Sequence, residues 1–156
     1  MSGFVIRPAT LADIEIVCAH RRAMFFDMGH EDADTLDPMI VAFRPWLQRM
    51  MASREYLAWL VMTQDGDIAA GVGLWLMDWP PHLIGPGTRR ANLLNVYTEK
   101  PFRRHGLARQ LVDTAVAWCY MNGIRTVILH ASTEGRRVYE NLGFKPTNEM
   151  RLIIEP

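Results

Sequence analysis

Six consecutive residues, Arg103-Arg104-His105-Gly106-Leu107-Ala108, have the types and spacing to hold an anion. They come after an apolar run that ends Asn95-Val96-Tyr97-Thr98, and they lead into Arg109 to Met121, a helical pattern without Pro or Gly. The loop thus sits at a helix N-terminus, where the first backbone N–H groups lack internal acceptors and the helix dipole favours negative charge. A pyrophosphate suits such a place. Gly106 and Ala108 permit close approach, since neither carries a side chain that would keep phosphate oxygens away from the amides. Arg103 and Arg104 add attraction at longer range, and His105 contributes its backbone amide. Taken alone, the hexapeptide could equally open a basic helix that binds nothing.

The 156 residues suit one domain spanning 1–156 with a core of its own. With 17 basic and 17 acidic residues the formal charge is zero, so no overall field draws the chain to nucleic acid or an anionic membrane. Cys18 and Cys119 lie inside helical patterns and read as small buried hydrophobes; no metal-type cluster is expected. No apolar run is long enough for a signal peptide or a membrane span, and a cytoplasmic location is the expectation.

The elements that must position the loop can be read in order. Phe4 to Arg7 forms a strand, and Thr10 to Asp13 resembles a capping box opening a helix with Ile14, Val17, Cys18, Met24, Phe25 and Met28 on its apolar stripe. Arg21 interrupts that stripe. Asp37-Pro38 offers a second helix start, and Pro45 is expected to kink or split that helix. Tyr56 to Thr63 and Ile68 to Trp79 form a hairpin around Asp65-Gly66. Pro80 to Arg90 reads as a loop and Leu93 to Thr98 as the next strand. Beyond the loop helix, Thr126 to His130 is a strand, Ser132 or Thr133 caps a short helix closed by Gly143, and Met150 to Ile154 supplies a last strand.

Two motifs, in order on these elements, resemble the GNAT superfamily of N-acetyltransferases. Arg103-x-x-Gly106-x-Ala108 is similar to its acetyl-CoA signature, and Tyr139-x-x-Leu142-Gly143-Phe144 to its closing motif. The resemblance spans nearly the whole chain. It implies an α/β fold of α+β character: a central, mixed, mostly antiparallel sheet of six or seven strands flanked by about four helices. It also implies that backbone groups of Val96 and Thr98 pair with the pantetheine arm of acetyl-CoA, that Arg103, Arg104, His105, Gly106, Leu107 and Ala108 take the pyrophosphate, and that Tyr139 donates a proton near the CoA sulfur. Tyr139 also lies on an apolar stripe with Val138 and Leu142, so a core role fits it too. Asn95 matches a position where some members carry Asn.

The implied activity is direct transfer of an acetyl group to a primary amine of a small molecule or peptide, within a ternary complex. A lysine-type amine, of pKa about 10.4, must first lose a proton. Asp27, Asp78, His82 and Glu99 are the candidate bases by residue type, with Asp27 and Asp78 also candidates for acceptor binding. The cluster Asp27, Glu31, Asp32, Asp34 and Asp37 would attract an ammonium group or, alternatively, serve as helix caps in a solvated loop. Phe25, Phe26, Trp75 and Trp79 either line a pocket or pack in the core. The other functional class is an acyl-CoA sensor that keeps the fold without turnover. A homodimer through the apolar Leu152-Ile153-Ile154 edge is a further expectation.

Overall fold

The computed structural model describes residues 3–156. Its first stitch is local. β1 (Phe4–Pro8) ends where Arg7 sends both terminal nitrogens to the carboxylate of Asp13, each at 2.8 Å, while that carboxylate also accepts from the Thr10 amide at 2.8 Å. Thr10 Oγ1 in turn accepts from the Ala12 amide, completing the capping box on the short 3-10 turn Leu11–Asp13. This clamp launches α1 (Ile14–Asp27) at a set angle from the strand.

α2 (Ala33–Ala52) starts five residues earlier than the Asp37-Pro38 signal suggested, because Asp32 caps it through the Asp34 amide at 3.0 Å and the Thr35 hydroxyl at 2.8 Å. Pro45 does not split it. A proline inside a helix costs about 3 kcal/mol, but Leu36, Ile40, Phe43 and Leu47 form a buried stripe through the same stretch. Burying each large apolar side chain returns about 1.5–3 kcal/mol, enough to carry the helix past the lost N–H.

The sheet has five strands in the order β1-β2-β3-β4-β5. β2 (Tyr56–Thr63) and β3 (Ile68–Asp78) form the expected hairpin, and β4 (Arg89–Thr98) is antiparallel to β3. β4 begins four residues before the expected strand, since Asp78 to Trp75 give Arg89 to Asn92 a full ladder to pair with. Side chains on β2 alternate between two cores. Trp59 and Val61 face Leu107, Leu111, Val112 and Ala115 of α3 (Leu107–Met121), whereas Tyr56 and Ala58 face Val17, Ile40, Phe43 and Leu47 of α1 and α2. Cys18 and Cys119 are free thiols buried in opposite cores.

β5 (Val127–Leu129) is short and pairs in parallel with Ala91–Leu93 alone. The strand expected at Met150 to Ile154 is not formed, and the count of six or seven strands is corrected to five among the described residues. A three-residue neighbour offers few ladder bonds, and the apolar side chains of this segment stand 72–94% exposed rather than buried against it. α4 (Arg136–Asn141) begins at an N-cap Gly135 with no side-chain cap, so neither Ser132 nor Thr133 caps it; the Ser132 hydroxyl accepts from the Gly135 amide at 3.0 Å in the preceding turn, and the helix ends with the Phe144 amide donating back to Tyr139.

Asp13 is only 5% exposed, and its bonds to Arg7 hold its carboxyl below the usual carboxylate range. A group whose pKa falls on folding contributes stability above its unfolded pKa, and that contribution is lost as the pH drops through the folded value. Asp13→Ala is therefore expected to cost about 1–3 kcal/mol in urea denaturation at pH 7. Below pH 3.8, the ordinary value of Asp13, the gap between variant and wild type should narrow; a constant gap down to pH 2 would remove the clamp from the explanation.

Candidate active site

The expected anion loop is an array of unsatisfied donors. After the 3-10 turn Lys100–Phe102, Arg104 and Gly106 take left-handed conformations (φ 67° and 72°), and α3 begins at Leu107. The first helical hydrogen bond runs from the Gln110 amide to Gly106 O at 3.2 Å. Arg104, His105, Gly106, Leu107, Ala108 and Arg109 thus each carry a backbone N–H with no acceptor among the described residues, and no side chain caps the helix. Left-handed turns joined to a helix start make a concave nest of N–H groups suited to anions. A Cβ built on Gly106 meets nothing within 4 Å, so the face of the nest is open.

Side chains brace the loop instead of filling it. Arg103 pairs with Asp27 at 2.5 Å, donates from Nε to Thr98 O at 2.9 Å and lies over the Tyr97 ring. It ties the C-terminal end of α1 to the end of β4. His105 Nδ1 lies 2.9 Å from Phe102 O and 3.0 Å from Arg103 O, so this nitrogen carries the proton and donates into the turn. What the loop offers an anion is its backbone.

β4 supplies the second feature. Its register with β3 passes from Gly73↔Leu94 to Gly71↔Tyr97, so Asn95 and Val96 together oppose Val72, and Asn95 has a φ of 55°. This is a β-bulge. Parallel pairing to β5 stops at Leu93↔Leu129, so from Leu94 to Thr98 the outer edge of β4 has no partner strand among the described residues. Val96 and Thr98 lie on this open edge, between the bulge and the nest.

Beneath the bulge lies a polar chain that composition did not reveal. Arg21 Nη1 donates to Asn95 Oδ1 at 2.8 Å, and Asn95 Nδ2 donates to the Tyr56 hydroxyl at 2.7 Å. The Tyr56 hydroxyl occupies the place a Cβ of Gly73 would need, and a Cβ on Gly71 would come within 2.9 Å of His20 Nδ1. Two glycines on β3 therefore make room for two polar side chains, leaving a cavity of only ≈10 Å³. Burial pushes the Tyr56 phenol up and His20 down to about 4. His20 is thus neutral at pH 7, and its 3.5 Å contact with Glu99 joins a neutral ring to a carboxylate. The sequence signals for this chain were an arginine inside an apolar stripe and two glycines alternating within a strand.

The remaining expected site residues scatter. Tyr139 on α4 packs edge-to-face on Phe144 and lines a groove of ≈440 Å³ along β5 with His130 and Met150; burial raises its hydroxyl. Asp27 is taken up by Arg103. Asp78 stands opposite Arg89, seven residues from Val96 and roughly 20 Å away at about 3.3 Å per residue. His82 lies in the exposed loop after β3, accepting from the Ile84 amide at 3.3 Å. Glu99 sits beyond Thr98, at the nest end of the open edge. Of the acidic cluster, Asp32 caps α2, whereas Asp37, expected to open that helix, lies inside it and pairs with Arg22 at 2.9 Å. Trp75 packs in the α1/α2 core against Trp46, while Trp79 stacks under Arg90. Among the described residues no His, Cys, Asp and Glu cluster suits a metal ion, and no helix is long and apolar enough to cross a membrane.

Residues 18–144 match the family described as acetyltransferase (GNAT) family. A GCN5-related N-acetyltransferase from Ralstonia eutropha JMP134 is 37% identical, with a TM-score of 0.92 over 97% of this chain and 99% of its own. A predicted acetyltransferase from Clostridium acetobutylicum, solved with acetyl-CoA, is 25% identical with a TM-score of 0.86 over 97% and 96%. The glucosamine-6-phosphate N-acetyltransferase of Arabidopsis thaliana shares the fold at 18% identity and a TM-score of 0.63, covering 97% of each chain. No curated protein matches the chain in sequence. A family match across most of the chain, and a close relative spanning nearly all of it, agree with an anion nest beside an opened strand edge: this chain belongs to the GNAT acetyltransferase family.

Proposed function

We propose that the chain is an acetyl-CoA-dependent N-acetyltransferase acting on a primary amine of a small molecule or peptide. The observation that carries this reading is the row of six free backbone N–H groups, Arg104 to Arg109, beside an unpaired strand edge. The nest has the charge and shape for a pyrophosphate, and the edge has free peptide groups for the two amides of a pantetheine arm, in the manner of an added strand. The Clostridium relative solved with acetyl-CoA supports the same choice of ligand.

Acetyl-CoA would supply an activated acyl group: the acceptor nitrogen bonds to the acyl carbon, the carbon–sulfur bond breaks, the thiolate keeps the bonding pair and the amine proton passes to solvent. With the pyrophosphate on Arg104 to Arg109, peptide groups of Val96 and Thr98 hold the arm so that its reacting end lies toward the bulge at Asn95. Tyr139 offers its proton to the leaving sulfur. Its hydroxyl is a weaker acid than an ordinary phenol because of burial, and a thiol of pKa about 8.5 leaves tolerably unaided. Its help is accordingly modest.

Release of CoA thiol from acetyl-CoA, measured across a panel of amino acids, polyamines, aminoglycosides and short peptides, tests the function. Amine-dependent release is the expected result, and acetyl-CoA binding with no release for any amine would leave a sensor. Tyr139→Phe should lower turnover roughly 10- to 100-fold, at the low end for general acids, with acetyl-CoA affinity within a few-fold of wild type. Gly106→Val should weaken acetyl-CoA binding by calorimetry more than about tenfold, since it puts a β-branched side chain at the mouth of the nest; strain at φ 72° adds a stability cost of about 1–2 kcal/mol. Undiminished binding would take the pyrophosphate out of the nest.

A further inference from the structure

Arg21 is a cation without a counter-ion. Its guanidinium is packed between rings, 5.1 Å from the centroid of Phe25 and 4.7 Å from that of Phe43, and burial lowers its basicity. Three other arginines on or against the helix pair are neutralised: Arg22 by Asp37, Arg44 by Glu15 and Arg103 by Asp27. Among the described residues no carboxylate reaches Arg21, whose one partner is the neutral amide of Asn95 on Nη1. Its Nε is buried with no acceptor, and Nη2 has none among the described residues. The Nε/Nη2 edge, the side of a guanidinium that grips a carboxylate with two parallel hydrogen bonds, has no acceptor among the described residues, and its Nε is covered until a guest displaces the side chains over it.

Two more unpartnered buried atoms lie on the same face of the sheet. Arg90 Nε and Asn92 Oδ1 have no hydrogen-bond partner among the described residues, and strand alternation puts both on the side of Leu94, which packs with the α1/α2 core. Arg90 stacks on Trp79 at 3.7 Å, held in place while its donor stays free. A buried donor or acceptor without a partner costs about 1–3 kcal/mol. Three polar atoms are thus left unsatisfied on this side of the sheet, and of these only the one on Arg21 belongs to a group bonded to the bulge residue.

We propose that Arg21 binds a carboxylate of the acceptor, which makes the acceptor class an amino acid or similarly short molecule bearing both an amine and a carboxylate. This rests on the transferase reading for what the bulge does. The spacing comes from the Arg21–Asn95 hydrogen bond: Arg21 touches the bulge residue itself, so an anion on its free edge lies within a few ångströms of the place where the amine must react. The charge pattern points the same way. Of the helix-pair carboxylates, Glu15, Asp27 and Asp37 are each paired with an arginine, whereas Arg21, bonded to the bulge residue, has no counter-ion among the described residues.

The test pairs binding with turnover. N-acetyl derivatives of α-amino acids, β-alanine and 4-aminobutyrate, and the amide of each, are titrated by calorimetry into the protein saturated with CoA; thiol release is measured with the corresponding free amines and amino-acid amides. The expected result is at least one carboxylate that binds tenfold or more tightly than its amide, with the same preference in kcat/KM. Arg21→Met also removes the brace on Asn95, so the reading is a ratio: that carboxylate should lose roughly 10- to 100-fold more binding and kcat/KM than its amide, with thermal melting to show that the variant folds. Arg21→Lys should recover part of the loss. Were Arg21 only a brace for Asn95, Arg21→Met would slow carboxylate and amide acceptors alike, and that outcome overturns the proposal. So does equal binding of carboxylates and amides by wild type, or absence of carboxylate binding altogether. Turnover of amides as fast as amino acids would sink the carboxylate site while the transferase stands; Arg21-dependent carboxylate binding with no turnover of any amine would do the reverse.

Discussion

Every buried peptide group needs a hydrogen-bond partner, and around β4 this constraint is left incomplete. The strand is paired on both sides from Ala91 to Leu93, loses its outer neighbour after Leu93, bulges at Asn95 and then runs into a turn whose N–H groups face outward. Sheet pairing on one side keeps the strand straight and rigid. The missing pairing on the other leaves an open edge from Leu94 to Thr98 among the described residues. A backbone site of this kind needs little from side chains, and accordingly Arg103 and His105 spend theirs on bracing the turn.

Holding a bulge in place requires support from the opposite face. An asparagine at φ 55° is tolerated because Asn is among the residues that visit the left-handed region most readily, and here its side chain is gripped at both ends by Arg21 and Tyr56. That grip depends on Gly71 and Gly73, the only way β3 can let a histidine ring and a phenol come so close. The α1/α2 layer is positioned in turn by the Arg7–Asp13 clamp at one end and the Arg103–Asp27 pair at the other. One end is sheltered and hydrogen-bonded on several sides. The other is partly solvent-exposed, so it steers more than it stabilises.

Charge is distributed to match. Zero net charge leaves no long-range field, yet local pairing is uneven: Glu15, Asp27 and Asp37 are each consumed by an arginine, while Arg21 and Arg90 keep free donors on the face that borders the bulge. Aromatic rings hold both guanidiniums in place of carboxylates, an arrangement that leaves the charge available.

Much of this is legible in the sequence. The helix after the Arg103 to Ala108 loop, the Asp65-Gly66 hairpin, the capping box at Thr10 and the Gly143 stop all come from short-range rules, because caps, turns and left-handed positions depend on a few adjacent residues. The two family motifs are likewise local. What lay beyond reach was whatever depends on partners distant in sequence. Asn95 reads as one more strand residue until the register shows a bulge; Arg21 reads as a break in an apolar stripe until Asn95, 74 residues on, accepts its hydrogen bond. Asp27 looked like an acceptor ligand, and Arg103 at the far end of β4 made it a brace. Pro45 argued for a broken helix, and a buried stripe overruled it; Met150 to Ile154 has the pattern of a strand, and β5 is too short to pair with it. The sequence by itself determined the local geometry and the family, since both are written in contiguous residues. Only the tertiary structure decided which polar groups are satisfied and which keep no partner among the described residues, because a hydrogen bond or an ion pair belongs to two places in the chain at once.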